Sequence, residues 1–239
     1  MALKKWKNFQ EFIDFANQNC NWVVLRNFEY LPDNFFENDK DVDVLCENIS
    51  KFVDIMGLEK RSWGIAAYQG IIENKIVFFD IRFLGDSYYD KLWQYKMLSN
   101  KVFTDKRVPR LNNEDYFYSL IYHSKIQKRE IKNIYVERLF ELAKKLKIKN
   151  YQKNAIFNDE YIANLLSEYM KKKHYLYELP VDTNVIKNQK FIKLLEKDVK
   201  EKLVYNPPVY VYILNLIPPF FFKLFSRKFK NLLKKKLFK

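Results

Sequence analysis

Glycine is scarce in this 239-residue chain, with 4 in all against 21 Phe and 17 Tyr. Motifs built on glycine-rich loops therefore have almost nothing to be made from, and a low-complexity or disordered chain is excluded by the 18% aromatic content. Cysteine is nearly as rare. Cys20 and Cys46 stand alone without metal-ligand spacing, so neither a disulfide framework nor a cysteine-rich zinc site is available, and a reducing compartment is expected. Acidic residues stop at Glu201. Beyond it stand only cations, Lys202, Lys223, Arg227, Lys228, Lys230, Lys234, Lys235, Lys236 and Lys239, which carry most of the net charge of +14. An excess of that size calls for an anionic partner. The N-terminus, MALKKWKNFQEFIDF, has acidic residues where a signal peptide would have its apolar stretch, so secretion is not expected.

What is present is enough apolar residue, 48%, for a sizeable core. Phe9, Phe12, Ile13 and Ala16 share one helical face over residues 8–19, and a buried strand, WVVL, follows at 22–25. Pro32 and several Asn and Asp mark residues 26–40 as a connection to a second strand over Asp41 to Cys46. Residues 49–56 then look helical and stop at Gly57. Two β-type runs come next, GIAAYQGII and KIVFFDIRF, joined at Glu73 and Asn74 by what reads as a tight hairpin turn. From about residue 86 the pattern is helical: 92–98, 114–127, 134–146, 160–172 and 185–203. The expected organisation is an α+β domain at 1–105, a helical domain at 106–203, entered through the polar DKRVPRLNN, and a basic tail at 204–239.

The chemistry is concentrated in acids on strands. Alternation along DVDV puts Asp41 and Asp43 on one face and Val42 and Val44 on the other. Two carboxylates so close repel, and a divalent cation relieves the repulsion. Mg²⁺ is commonly held by one or two carboxylates together with waters and substrate phosphates. Asp80 interrupts the otherwise apolar IVFFDIRF, where an unpaired carboxylate would be costly, so either Arg82 or a shared metal should meet it. Asp39 and Asp86 fall in polar connections and read as solvated.

With a D-x-D pair after a helix, a strand and a connection, and a further acid on a later strand, residues 7–90 resemble the nucleotidyltransferase-fold superfamily, the polymerase-beta-like group. The resemblance implies a short mixed sheet flanked by helices, with a helical region after it. It also implies that Asp41, Asp43 and Asp80 are catalytic, Asp41 and Asp43 as the pair that binds Mg²⁺ or Mn²⁺ and Asp80 as the third metal carboxylate, which activates the acceptor. Members of that superfamily carry Gly-Ser or Gly-Gly at the end of the first strand, and here Leu25, Arg26 and Asn27 stand in its place. Arg26 would instead hold phosphate through its guanidinium fork, with Asn27 donating an amide hydrogen bond. The competing reading pairs Arg26 with Glu29 or Asp80. VVLRNFEYLP and YFYSLIYHSKIQK also look like an uncharacterised bacterial group with this fold, associated with surface-glycan gene sets.

On the helix around residue 120, His123 reads either as a structural hydrogen-bonding residue or as a contact to phosphate or an acceptor sugar, helped by Lys125 or Lys128. The aromatic residues Tyr116, Phe117, Tyr118 and Tyr122 read as core. In the tail, Phe221, Phe225, Phe229, Leu232, Leu233 and Leu237 recur at helical spacing, with Arg227, Lys230, Lys234 and Lys235 largely off that stripe and Lys228 and Lys236 adding charge. This fits an amphipathic helix lying on an anionic membrane surface, where each basic residue contributes about 1 kcal/mol. Asn215 and Pro218-Pro219 argue against a spanning helix, and the large apolar face favours lipid over nucleic acid. The expectation is thus a metal-dependent nucleotidyltransferase or phosphotransferase, cytoplasmic and peripheral on the inner face of the cell membrane. It would take a nucleotide or nucleotide-linked donor and a glycan or lipid-linked acceptor. The alternatives are a noncatalytic membrane-associated binding protein of the same fold, or an enzyme that modifies RNA or protein.

Overall fold

The computed structural model describes residues 4–61, 66–128, 131–178 and 188–195. Among them are eight strands in one mixed sheet and eight α-helices, an α+β arrangement. The strands are β1 (Lys5–Trp6), β2 (Trp22–Val24), β3 (Asp41–Cys46), β4 (Glu59–Lys60), β5 (Ala67–Ile72), β6 (Lys75–Phe83), β7 (Val102–Phe103) and β8 (Pro109–Arg110). The sheet order is β1-β5-β6-β3-β2-β8-β7, with β4 on β5. The helices are α1 (Phe9–Asn19), α2 (Phe35–Asn38), α3 (Ile49–Met56), α4 (Lys91–Ser99), α5 (Asn113–Lys125), α6 (Asn133–Lys145), α7 (Asp159–Lys173) and α8 (Gln189–Ile192). No helix among the described residues is long and apolar enough to cross a membrane.

Local chemistry explains most of these boundaries. α3 ends at Gly57, whose φ of +60° suits glycine, and a Cβ there would come within 2.4 Å of the Lys4 Cβ. The β5–β6 hairpin turns on Glu73 and Asn74, both at positive φ (54° and 58°), as a two-residue primed turn requires. Asn8, Asn48, Asp90, Asn112 and Asn158 each accept a backbone N–H at the start of α1, α3, α4, α5 and α7. The expected boundary near residue 105 falls inside the β7–β8 hairpin, and β8 joins the sheet by pairing in parallel with β2.

One sheet face carries an aromatic layer. Phe12 of α1 stacks on Phe79 of β6 at 5.3 Å and meets Trp22 edge-on at 6.2 Å, while Trp22 also packs against Phe52 of α3. Val42 and Val44, the apolar half of DVDV, are buried on that side. On the helical side α5 is buried along nearly its whole length, with α4, α6 and α7 around it. Tyr116, Phe117, Tyr118 and Tyr122 are core residues, as their spacing indicated. Asp115 of α5 is buried but accepts from Trp93 Nε1 (2.9 Å), Tyr169 Oη (3.2 Å) and Asn112 Nδ2 (2.6 Å), so this carboxylate fastens helices together.

Candidate functional site

Pairing of the central strands decides which side chains meet. β3 and β6 run parallel with Asp43 opposite Asp80, and Asp41 is two residues from Asp43, so all three acids fall on the face opposite Val42 and Val44. The constellation expected from the sequence is therefore gathered on two adjacent strands. Asp43 and Asp80 are half-buried, and Asp41 reaches solvent at the start of β3. Burial first, then the charges of Asp43, Asp39 and Asp80, push the Asp41 carboxyl from 3.8 up to about 6. Among the described residues Asp41 makes no ion pair.

The other two acids have cationic partners. β2 and β3 are antiparallel, and Leu25 N donates to the Asp43 carbonyl at 2.9 Å, which sets the next residue, Arg26, over the acids. Its guanidinium grips Asp43 on two oxygens, with Nε donating to Oδ2 at 3.1 Å and Nη2 to Oδ1. Neither Glu29 nor Asp80 is its hydrogen-bond partner. Burial opposes the charge of Arg26, but Asp43 and the nearby tyrosines more than compensate, and the guanidinium is held well into its protonated form. Arg82 pairs with Asp80 at 3.2 Å, which answers the need for a cation at that buried position, and its guanidinium also lies 4.0 Å above the ring of Tyr88. In this arrangement no three acidic, histidine or cysteine side chains among the described residues form a cluster ready to chelate one ion.

Asn27 turns the chain away from β2 at φ 60°, a conformation asparagine tolerates. Its Nδ2 donates to Asp39 at 2.6 Å and its Oδ1 accepts from Arg138 Nη1 of α6 at 2.5 Å. Arg138 also pairs with Glu29 at 3.2 Å, and Tyr116 donates to the same carboxylate at 3.2 Å. The amide of Asn27 is thus committed to fixing the strand end against α6. Asp39 and Asp86, expected to be solvated, are both held. Asp86 is half-buried and accepts from Gln94 Nε2 (2.6 Å) and Tyr88 N (2.9 Å).

The wall beyond Arg82 is hydrogen-bonded. Tyr88 Oη lies 3.0 Å from His123 Nδ1, Gln127 Oε1 lies 3.3 Å from the same nitrogen, and Gln127 Nε2 donates to the Tyr88 carbonyl at 2.7 Å. Burial, together with the charges of Arg26 and Lys128, holds His123 far below its usual pKa, so it is neutral at pH 7. The Tyr88 phenol is pushed up to about 12, mainly by burial. Lys128 reaches solvent, yet desolvation of its buried part and the Arg26 charge lower its pKa while Asp43 and Asp80 pull it back up. All these charges act on one small region.

Lys125 does not join it. Its Nζ pairs with Asp159 of α7 at 2.6 Å and sits 5.9 Å from the Phe191 ring, so it braces the helices. Two residues from His123 on a helix is the opposite side, whereas Lys128 lies past the end of α5, where helical spacing no longer applies. Phe225, Arg227, Lys228, Phe229, Lys230, Lys234, Lys235 and Lys236 lie outside the described residues. The sequence reading missed Tyr88, Gln127 and Arg138, which hold the site in place. Tyr88 follows Asp86 in a turn, and nothing in the spacing pairs it with a histidine 35 residues away. Comparison with protein families, curated proteins and solved structures finds no match to this chain.

Proposed function

We propose that the protein is a metal-dependent nucleotidyltransferase or phosphotransferase that works on a surface-glycan precursor at the inner face of the cell membrane. The observation that carries the reading is the register of β3 and β6, which aligns Asp41, Asp43 and Asp80 on one face. Their oxygen donors suit Mg²⁺ or Mn²⁺, and the Asp41 carboxyl, pushed up first by burial and then by the charges of Asp43, Asp39 and Asp80, would gain from a cation placed there. Two of the three are already neutralised by arginine, so occupancy requires Arg26 to turn from Asp43 toward phosphate. When bound, the metal supplies charge neutralisation at the transferred phosphate and lowers the pKa of the attacking hydroxyl.

The chain's own groups then have defined tasks. Asp80 accepts the proton as an acceptor hydroxyl attacks phosphorus, while the bond to the leaving phosphate breaks in line. Arg26, fixed in its charged form, faces the negative charge that develops on the phosphoryl oxygens. Neutral His123, oriented by Tyr88 and Gln127, lines the same wall. Thermal stabilisation by a panel of nucleotides and nucleotide-linked sugars, with and without Mg²⁺, tests this. Ligand stabilisation that needs Mg²⁺ and disappears in Asp41→Asn and Asp43→Asn supports it, and a response unaltered by metal or substitution rejects it.

The Arg26–Asp43 and Arg82–Asp80 pairs favour a second reading, a noncatalytic binding protein in which arginines stand where cations would. It predicts ligand stabilisation that is indifferent to Mg²⁺. The membrane assignment rests on the sequence of the tail. Flotation with anionic vesicles should be lost when residues 207–239 are removed, and equal flotation after truncation refutes it.

A further inference from the structure

The sheet face that carries the acids continues past β6 into β5 and β4, and there it is open. Register fixes what stands on it. Phe78 lies opposite Asp41 on one side and Gln69 on the other, Gln69 lies opposite Glu59 of β4, Asp80 lies opposite Ala67, and Ile76 lies opposite Ile71. Ala67, Gln69, Ile71 and Phe78 are half-buried and Ile76 is 63% exposed, whereas the alternate residues of β6, Val77, Phe79 and Ile81, are buried. An aromatic ring with an aliphatic neighbour left open beside carboxylates marks a place for a ligand.

Polar groups border that ring. Arg61 N donates to the Ala67 carbonyl at 3.0 Å, which extends the β4–β5 pairing, and the Arg61 guanidinium lies over Phe78, 3.9 Å from the ring centre. Gln69 Nε2 donates to Glu59 Oε2 at 3.0 Å, so an amide and a carboxylate stand together at the next places in the row. Strand order then says which side of the acids this is. Arg26 reaches Asp43 from the end of β2, on one side of β3, while Phe78 and its neighbours lie on the other side, over β6, β5 and β4. In the proposed transfer Arg26 faces the phosphoryl group and Asp80 receives the proton of the acceptor hydroxyl. The body of the acceptor therefore belongs on the Phe78 side.

We infer that Phe78, with Arg61, Gln69 and Glu59 around it, binds a pyranose ring of the acceptor. The ring's role as acceptor rests on the proposed phosphoryl transfer, but its binding rests on this platform alone. A pyranose has a face of C–H groups and a rim of hydroxyls that both donate and accept. Its C–H groups meet the negative face of the Phe78 ring, Glu59 and Gln69 Oε1 accept from hydroxyls, and Arg61 donates to them. A cation–π contact at an exposed site is weak, so the guanidinium yields the ring face and moves to the rim when the sugar arrives. Ala67, a small residue between Asp80 and Arg61, leaves room for it. Phe78 and Asp80 are two residues apart on one strand, about 6.6 Å, which brings a hydroxyl on the edge of the stacked ring within reach of Asp80.

Saturation-transfer NMR on the full chain in EDTA tests the platform, with the methyl glycosides of glucose, galactose, mannose and N-acetylglucosamine and the nucleosides uridine and adenosine as probes. Phe78→Leu, Phe78→Tyr and Gln69→Ala are compared with the parent, and urea denaturation of each verifies its fold. The expected result is transfer to the ring C–H protons of at least one glycoside, with binding weakened at least about fivefold in Phe78→Leu and in Gln69→Ala and retained in Phe78→Tyr. Equal binding by the parent, Phe78→Leu and Gln69→Ala, or no glycoside binding by the parent, overturns the platform. Transfer to nucleoside base protons alone, lost in Phe78→Leu, overturns it as well, because the face then belongs to the donor. Nucleotide stabilisation with and without Mg²⁺, measured in parallel, separates this site from the transferase reading. No glycoside binding with Mg²⁺-dependent stabilisation intact rejects the platform alone, and glycoside binding without such stabilisation rejects metal-dependent transfer while the sugar site stands.

Discussion

The two faces of β3 are built for different ends from alternate residues of one short strand. Val42 and Val44 enter an apolar layer with Phe79, Phe12 and Trp22, in which the Trp22 indole N–H is satisfied by Asn17 Oδ1 at 3.1 Å and shape decides most of the energy. Asp41 and Asp43 enter a layer of charge, in which Arg26 pairs with Asp43, Arg82 pairs with Asp80 and lies over Tyr88, and Tyr88 hydrogen-bonds His123, with the charge of Lys128 close by. A buried ion pair is weak evidence for stability, since its desolvation offsets much of its attraction. The contrast therefore assigns stability to the first face, and it is on the second that the proposed ligand chemistry would take place.

Substitution can break that assignment. The largest effect is expected for Phe79→Ala, which leaves a cavity against Phe12 and should cost about 3–5 kcal/mol in urea denaturation. A cost below about 1 kcal/mol would mean the aromatic layer is not the main support. Next comes Arg26→Met, which strands Asp43 beside the remaining acids and should cost about 3 kcal/mol, whereas Arg26→Met/Asp43→Leu should cost less than the single change. Costs that simply add would show that the two side chains act independently.

Smaller changes sharpen the comparison. Lys132→Asp places a capping carboxylate at the start of α6, where Lys132 provides none, and should raise stability in urea denaturation by about 1 kcal/mol. No gain in the midpoint of that transition would show that this helix end is already satisfied. The smallest effect belongs to Asp41. Its folded-state pKa of about 6 lies above the ordinary 3.8, so the fold binds this proton more tightly than the unfolded chain does. Its unfavourable contribution is absent below about pH 4, grows as the pH rises through 6 and is constant beyond. Asp41→Asn should thus match the parent in acid and exceed it in stability above pH 6, by a margin that solvent screening at this exposed residue keeps small.

How far the sequence reached depended on the range of the interaction. Alternation in DVDV and in IVFFDIRF gave the faces, and Gly57 and the Glu73-Asn74 turn marked real boundaries, because each depends only on neighbouring residues. β1, β4, β7 and β8 are two residues long and have no period to detect. The partner of Arg26 depended on strand register: both sequence candidates, Glu29 and Asp80, are reasonable by charge, and only the β2–β3 pairing selects Asp43. Lys125 and Lys128 are both near His123 in sequence, but helical periodicity places Lys125 against Asp159, while Lys128 lies past the end of α5 and is free of that periodicity. The acids were legible in the sequence, as was Arg82 as the partner of Asp80 two residues away on the same strand; the placement of Arg26 and Lys128 was set by tertiary packing.

The central claim is that the charged face of β3 and β6 takes a divalent ion in spite of its arginine partners. Titration of the protein with Mn²⁺, followed by the loss of the free-ion electron paramagnetic resonance signal, tests it most directly. The account predicts saturable binding by the wild type that is lost in Asp41→Asn/Asp43→Asn, while Asp159→Asn, which carries the same chemical change away from the three acids, binds as the parent does. Equal uptake by the parent and the Asp41→Asn/Asp43→Asn variant, or no uptake by the parent, would contradict it.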